Sequence, residues 1–131
     1  MHNKNRLLGI DYGSKRIGVA LSDESGSMAT PHSVVATSAM AMNQILRICS
    51  TNNVKKIIIG ESKNYSGTHN PIMTDIQRFV EGLRRQTDAE IVYHPEFLTS
   101  AQAERLQGKN DMLDASAATL ILQSYIDSNR K

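Results

Sequence analysis

Four carboxylates in this chain stand where metal-assisted phosphodiester chemistry would need them. Asp11 closes the apolar run Leu7-Leu8-Gly9-Ile10. Glu61 follows the run at 54–60, Glu96 comes a few residues after Ile91-Val92-Tyr93, and Asp114 falls in the first turn of an apolar C-terminal helix, three residues after Asp111. If the three runs are parallel strands, their acids gather at one end of the set, where open α/β sheets place their ligand sites. A spacing of three makes Asp111 and Asp114 surface neighbours if the helix includes both. Carboxylates brought together repel one another unless a divalent cation lies between them. Hard oxygen donors suit Mg²⁺ or Mn²⁺, and two such ions can clamp the attacking and leaving oxygens of a phosphodiester. Each acid also has a plainer role open to it. Asp11 could cap the Tyr12-Gly13 turn, Glu61 and Glu96 could be solvated, Asp114 could oppose the helix dipole, and Asp111 could cap the helix.

The elements that must position these acids follow from hydrophobic period and turn chemistry. Leu7-Leu8-Gly9-Ile10 and Ile17-Gly18-Val19-Ala20-Leu21 read as strands joined by a tight turn at 12–15. A third extended segment at 28–36 contains Pro31, which suits an edge strand or a bulge. Three strands with short connections make an antiparallel meander. Met42, Ile45, Leu46 and Cys49 then fall at i, i+3, i+4 and i+7, the stripe of a helix. The continuous Ile57-Ile58-Ile59 run predicts a strand buried on both faces, as in a parallel sheet. Asn70-Pro71 supplies a cap and a first helical residue for a second helix, whose buried face carries Ile72, Ile76, Phe79, Val80 and Leu83. Ile91-Val92-Tyr93 is the fifth strand. Thr99 and Gln102 match a capping box and predict a short helix. The last helix places Leu113, Ala117, Leu120, Ile121 and Tyr125 on one side. The order βββαβαβα(α), with right-handed crossovers, predicts a three-layer α/β domain whose last two strands run parallel to the first.

Composition narrows the function classes. The chain has 131 residues, a length that fits one domain over 1–131, and 40% hydrophobic residues, enough for a real core. A formal net charge of +2 makes no phosphate-binding face unless the basic residues cluster. Cys49 is the one cysteine, so an intramolecular disulfide is excluded and no Cys/His spacing supports a thiolate zinc site; its place on the helix stripe favours a core residue. The polar start at 1–6, and the lack of any run approaching ~20 apolar residues, predict a soluble cytoplasmic protein. No G-x-S-x-G elbow or Walker A loop is present. Each of the four histidines reads first as a surface or hydrogen-bonded residue, with His94 the nearest of them to a proton shuttle.

Four segments in order resemble the YqgF family of pre-16S rRNA nucleases and Holliday-junction-resolvase-like proteins. They are the opening L-G-I-D-Y-G-S-K-R-I-G-V-A at 8–20, then Gly60, Asn64, Gly67 and Thr68, then Glu96, Leu98, Thr99 and Ser100, and finally D-A-S-A-A-T-L-I-L-Q-S-Y at 114–125. The resemblance implies a ribonuclease-H-like fold: a five-stranded mixed sheet with helices on both faces. It implies metal-dependent cleavage of structured nucleic acid, either 5′-end maturation of pre-16S rRNA or resolution of branched DNA. The family's acidic site carries over onto Asp11, Glu96 and Asp114, with Mg²⁺ or Mn²⁺ as the ion. A ribosome precursor is an implied partner, with the chain a monomer or, for symmetric junction cutting, a homodimer.

The chain departs from that family at three places. Phe97 follows Glu96 where an arginine is usual, and Met112 stands where a basic residue usually precedes Asp114. Glu61 and Ser62 replace an apolar residue and a proline. Lys15, Arg16, Lys63, Arg105 and Lys109 are available to supply the missing positive charge, with Lys15, Arg16, Lys63, Asn64 and Lys109 expected around nucleic acid. Resolvase-type nucleases of this fold carry an acid at the end of the fourth strand, so Glu61 joins the metal ligands if strand alternation turns it toward them. Two other readings stand beside the nuclease: an RNA-binding or ribosome-assembly module on the same fold, and a phosphotransferase fragment using Gly9–Ser14 as a phosphate loop.

Overall fold

The computed structural model describes residues 6–61, 72–95 and 113–129, the last of these by backbone alone up to residue 116. The elements are β1 (Arg6–Tyr12), β2 (Arg16–Ser22), β3 (Ala29–Ala36), α1 (Ala41–Thr51), β4 (Val54–Glu61), α2 (Ile72–Gln86), β5 (Glu90–Pro95) and α3 (Leu113–Ser128). Among the described residues, five strands form one sheet in the order β3-β2-β1-β4-β5. β1 pairs antiparallel with β2 and parallel with β4, β2 pairs antiparallel with β3, and β4 pairs parallel with β5. This is the predicted meander followed by two crossovers, with β1 central. The capping-box helix at Thr99 and the Asn70-Pro71 helix start lie outside the described residues.

Side-chain alternation sorts the sheet into two cores. Leu8, Ile10, Ile17, Val19, Ile57 and Ile59 pack with Ile45, Cys49, Ile76, Val80 and Leu83 of α1 and α2. Ala20 and Ile58 pack with Ala118, Ile121, Leu122 and Ile126 of α3. Ile57, Ile58 and Ile59 are each fully buried, so β4 is covered on both faces as its sequence predicts. Burial pushes the Cys49 thiol up to about 11, which suppresses the thiolate and fits a core residue.

On α3 the structure differs from the periodic stripe. Ala118, Leu122 and Ile126 are buried along with Ala117 and Ile121, while Leu120 is only half-buried. The helix is turned so that small and large residues alternate over the strands beneath. Gly9 explains the choice. A methyl group there would sit 2.7 Å from Leu122 Cβ and 3.0 Å from the Ala118 carbonyl oxygen, so a bare backbone at position 9 lets α3 settle directly on β1.

The β1–β2 turn is fixed by its own backbone and by the chain leaving β3. A Cβ on Gly13 would meet the Arg16 carbonyl oxygen at 2.5 Å, so only glycine fits. The Thr37 hydroxyl donates to the Gly13 carbonyl at 2.8 Å, and the Thr37 amide donates to the Lys15 carbonyl at 3.0 Å. No helix among the described residues is long and apolar enough to cross a membrane.

Candidate active site

Asp11 is the penultimate residue of the central strand, half-buried, opposite Gly18 of β2. Leu8 and Ile10 enter the α1/α2 core and Tyr12 packs against it. Leu7 packs into the α3 core, and Gly9 lies under α3. Alternation therefore puts Asp11 on the α3 side. On β4 the last printed pair with β1 is Ile10–Ile59; one step further sets Gly60 beside Asp11. Asp11 thus has glycine as its neighbour on both flanking strands, and neither neighbour brings a side chain to the acid.

The start of α3 points toward the same end of the sheet. The Ala29 amide donates to Gln123 Oε1 at 2.9 Å, and the Leu7 amide donates to Ser22 Oγ at 2.8 Å. Ser22 pairs with Ala29, so position 123 lies near the N-terminal end of β1, whereas Ala118 lies over Gly9. α3 accordingly runs against β1. Gly9 lies under both Ala118 and Leu122, so the start of α3 extends toward the Asp11 end of the sheet, on the same side as Asp11.

Glu61 goes the other way. It pairs with Pro95 at the ends of β4 and β5, but shares its strand face with Ile57 and Ile59, which pack in the α1/α2 core. Tyr93 is its neighbour there. Burial raises the Tyr93 hydroxyl, Arg84 lowers it, and the charges of Glu61 and Glu81 raise it further, for a net upward shift. Tyr12 belongs to the same side, with its ring 5.2 Å from that of Phe79; burial and then the charge of Asp75 raise its hydroxyl. The sequence left the face of Glu61 open, and the register sets it with this aromatic group, away from Asp11.

The other predicted residues divide by element. Lys15 and Arg16 are exposed in the turn after β1, at the Asp11 end of the sheet. Glu96, Lys63, Asn64 and Lys109 lie outside the described residues, as do Arg105, Phe97, Asp111 and Met112. Among the described residues no three His, Cys, Asp or Glu side chains gather as metal ligands, and of the three family acids only Asp11 is described with its side chain. Sequence reasoning missed the glycine pair flanking Asp11. It also missed the contacts of His94, whose Nε2 lies 3.0 Å from Ser124 Oγ and whose ring stands edge-on to Tyr125 with centroids 5.9 Å apart.

Comparison with known proteins bears on this arrangement. A family model described as RuvX, Holliday junction resolvase, matches residues 5–128. A protein of Endomicrobium trichonymphae named as a pre-16S rRNA nuclease is 34% identical over 134 residues, covering 94% of this chain and 96% of its own. One of the same name from Thermoanaerobacter pseudethanolicus is 35% identical over 136 residues, covering 95% and 98%. Among solved structures, RuvC of T. thermophilus in complex with a Holliday junction substrate matches with a TM-score of 0.63 at 13% identity, over 95% of this chain and 94% of that one. The fowlpox virus resolvase in complex with junction DNA matches with a TM-score of 0.55 at 12% identity, over 96% and 99%. At these identities the structural likeness speaks for the fold, which is that of the ribonuclease-H-like resolvases.

Proposed function

The chain belongs to the RuvX Holliday junction resolvase family, and from that membership we propose a metal-dependent nuclease acting on structured nucleic acid in the cytoplasm, as one domain over residues 1–131. Its substrate class is pre-16S rRNA, the substrate in the names of relatives matched over nearly their whole length; branched DNA is the alternative. The observation that carries the reading is Asp11, at the end of the central strand, glycine-flanked and on the side of the sheet that α3 covers.

The residues fit a hard divalent cation. Asp11 offers carboxylate oxygen on a face its flanking residues leave without side chains, and Glu96 and Asp114 complete an all-oxygen donor set suited to Mg²⁺ or Mn²⁺. Such an ion, when bound, supplies an activated water and charge stabilisation at the scissile phosphate. The chain's own part is positional. The β1 end holds one acid, α3 runs with its start toward that end of the sheet, and the buttressed β1–β2 turn would hold Lys15 and Arg16 beside the substrate backbone. Lys63, Asn64 and Lys109, outside the described residues, complete the proposed set of nucleic-acid contacts.

Glu61 stays outside this ligand set. Glu61→Gln should leave Mn²⁺ affinity within about twofold of wild type by calorimetric titration, while Glu96→Gln lowers it; a loss in Glu61→Gln equal to that in Glu96→Gln would bring Glu61 into the site. For the basic rim, replacing both Lys15 and Arg16 with Gln should reduce the slope of log K against log salt by about 0.7–0.9 per lost phosphate contact. An unchanged slope would move the binding face elsewhere.

The function is tested by incubating the chain with a structured pre-16S rRNA fragment and with a four-way DNA junction, each with Mn²⁺ and with chelator. Metal-dependent cleavage of the RNA is the expected result. Cleavage of the junction alone selects the DNA substrate. Salt-dependent binding without cleavage of either selects a binding module.

A further inference from the structure

Lys15 and Arg16 stand on a turn, and a turn places its side chains only as well as its own backbone is held. β1 and β2 pair as far as Tyr12 and Ile17. Gly13, Ser14 and Lys15 therefore project past the last pair of that ladder, with Ser14, Lys15 and Arg16 exposed. An exposed hairpin tip belongs to the low-stability end of a fold unless contacts from outside tie it down.

The tie comes from the residue that follows β3. Arg16 pairs with Ala36, and the next residue, Thr37, reaches past the ladder to the turn. Its hydroxyl donates to the Gly13 carbonyl at 2.8 Å, and its amide donates to the Lys15 carbonyl at 3.0 Å. One half-buried residue thus holds both sides of the tip. Thr37 is itself fixed from either side. Behind it lies β3. Ahead, the Met40 amide donates to Ser38 Oγ at 3.2 Å and the Ala41 amide to the Ser38 carbonyl at 3.0 Å, and α1 begins at the buried Ala41. Of the two bonds to the turn, only the one from the hydroxyl depends on the residue type. The β-branched side chain of threonine is stiff at χ1, so that hydroxyl is presented at little entropic cost.

We infer that Thr37 is a positioning residue for the nucleic-acid backbone: its hydroxyl fixes the Gly13 carbonyl, so that the turn presents Lys15 and Arg16 to phosphate in one arrangement. This role rests on the phosphate contacts proposed for Lys15 and Arg16. Contacts made from an unheld turn must first order it, and that ordering is lost from the affinity. A hydrogen bond of this kind is worth about 2–10-fold in an equilibrium.

The test uses the full chain and a structured pre-16S rRNA fragment, with chelator present so that binding is read without cleavage. Affinity over a range of salt and thermal unfolding are measured for wild type, Thr37→Val, Thr37→Ser, the Lys15→Gln/Arg16→Gln pair, and that pair combined with Thr37→Val. Thr37→Val should weaken RNA binding about 3–10-fold and flatten its salt dependence, while Thr37→Ser, which keeps the hydroxyl, binds as wild type does. On the background of the pair, Thr37→Val should have no further effect, because residues that act through one another are not additive. Wild-type affinity and slope in Thr37→Val, or a loss that Thr37→Ser shares in full, overturns the role of Thr37. So does an equal loss on the background of the pair, which would mark damage to the fold rather than to the turn. If the pair itself binds with wild-type affinity and slope, the proposed rim is misplaced and the role of Thr37 falls with it.

Discussion

Asp11→Asn should abolish metal-dependent cleavage while leaving the fold intact. The substitution keeps the size of the side chain and removes its charge, at a position that is half-buried rather than in either core. Residues that merely orient a metal ligand are worth about 10–100-fold in affinity or activity, so a direct ligand should be worth at least about 100-fold. The flanking residues Gly18 and Gly60 offer no side chain that could replace it. Cleavage rate and thermal unfolding should be measured together on the same preparation. A large loss of rate with Tm held within a few degrees is the expected result; unchanged cleavage would remove Asp11 from the site.

The second large effect concerns stability. Leu122→Ala should destabilise the fold by about 2–5 kcal/mol, the usual range for a buried leucine truncated in a core that relaxes only partly. Leu122 is fully buried and lies directly over Gly9. In a chain of this size such a loss lowers Tm by about 10 °C. Leu120→Ala should cost much less, since Leu120 is half-buried. Thermal unfolding of the two variants separates the helix face seen in the structure from the one its periodicity suggests. Equal losses would mean that α3 sits in a different rotation over the sheet.

That pair of leucines shows where sequence reading stops. α1 and α2 alternate apolar and polar residues clearly enough for Ile45, Cys49, Ile76, Val80 and Leu83 to be picked out as core. α3 carries Ala117, Ala118, Leu120, Ile121 and Leu122 almost without interruption, and an apolar run has no period from which to choose a face. The face is chosen by a partner distant in sequence, Gly9, whose missing side chain makes room for Leu122.

Glu61 teaches the same lesson on a strand. Ile57, Ile58 and Ile59 are all buried, so β4 lacks the polar alternation that would say which way its last residue turns. Only the pairing of β4 with β1 and β5 supplies the parity. The place of Asp11 at the end of the central strand, by contrast, was legible from local sequence: an acid ending an apolar run, followed by a glycine turn. The contacts of His94 were invisible because Ser124 and Tyr125 are some thirty residues away in sequence. The rim residues Lys63, Asn64 and Lys109 were proposed from loop position and family pattern, and they lie outside the described residues.

The central claim is that a divalent cation binds at Asp11, on the side of the sheet that α3 covers. Crystals of the full chain soaked in Mn²⁺, with the ion located by its anomalous scattering, test it most directly. The account predicts a peak bonded to the Asp11 carboxylate, with Glu96 and Asp114 as its other protein ligands and Glu61 away from it. A chain that crystallises intact and shows its manganese elsewhere, with Asp11 bonded to none, would contradict it.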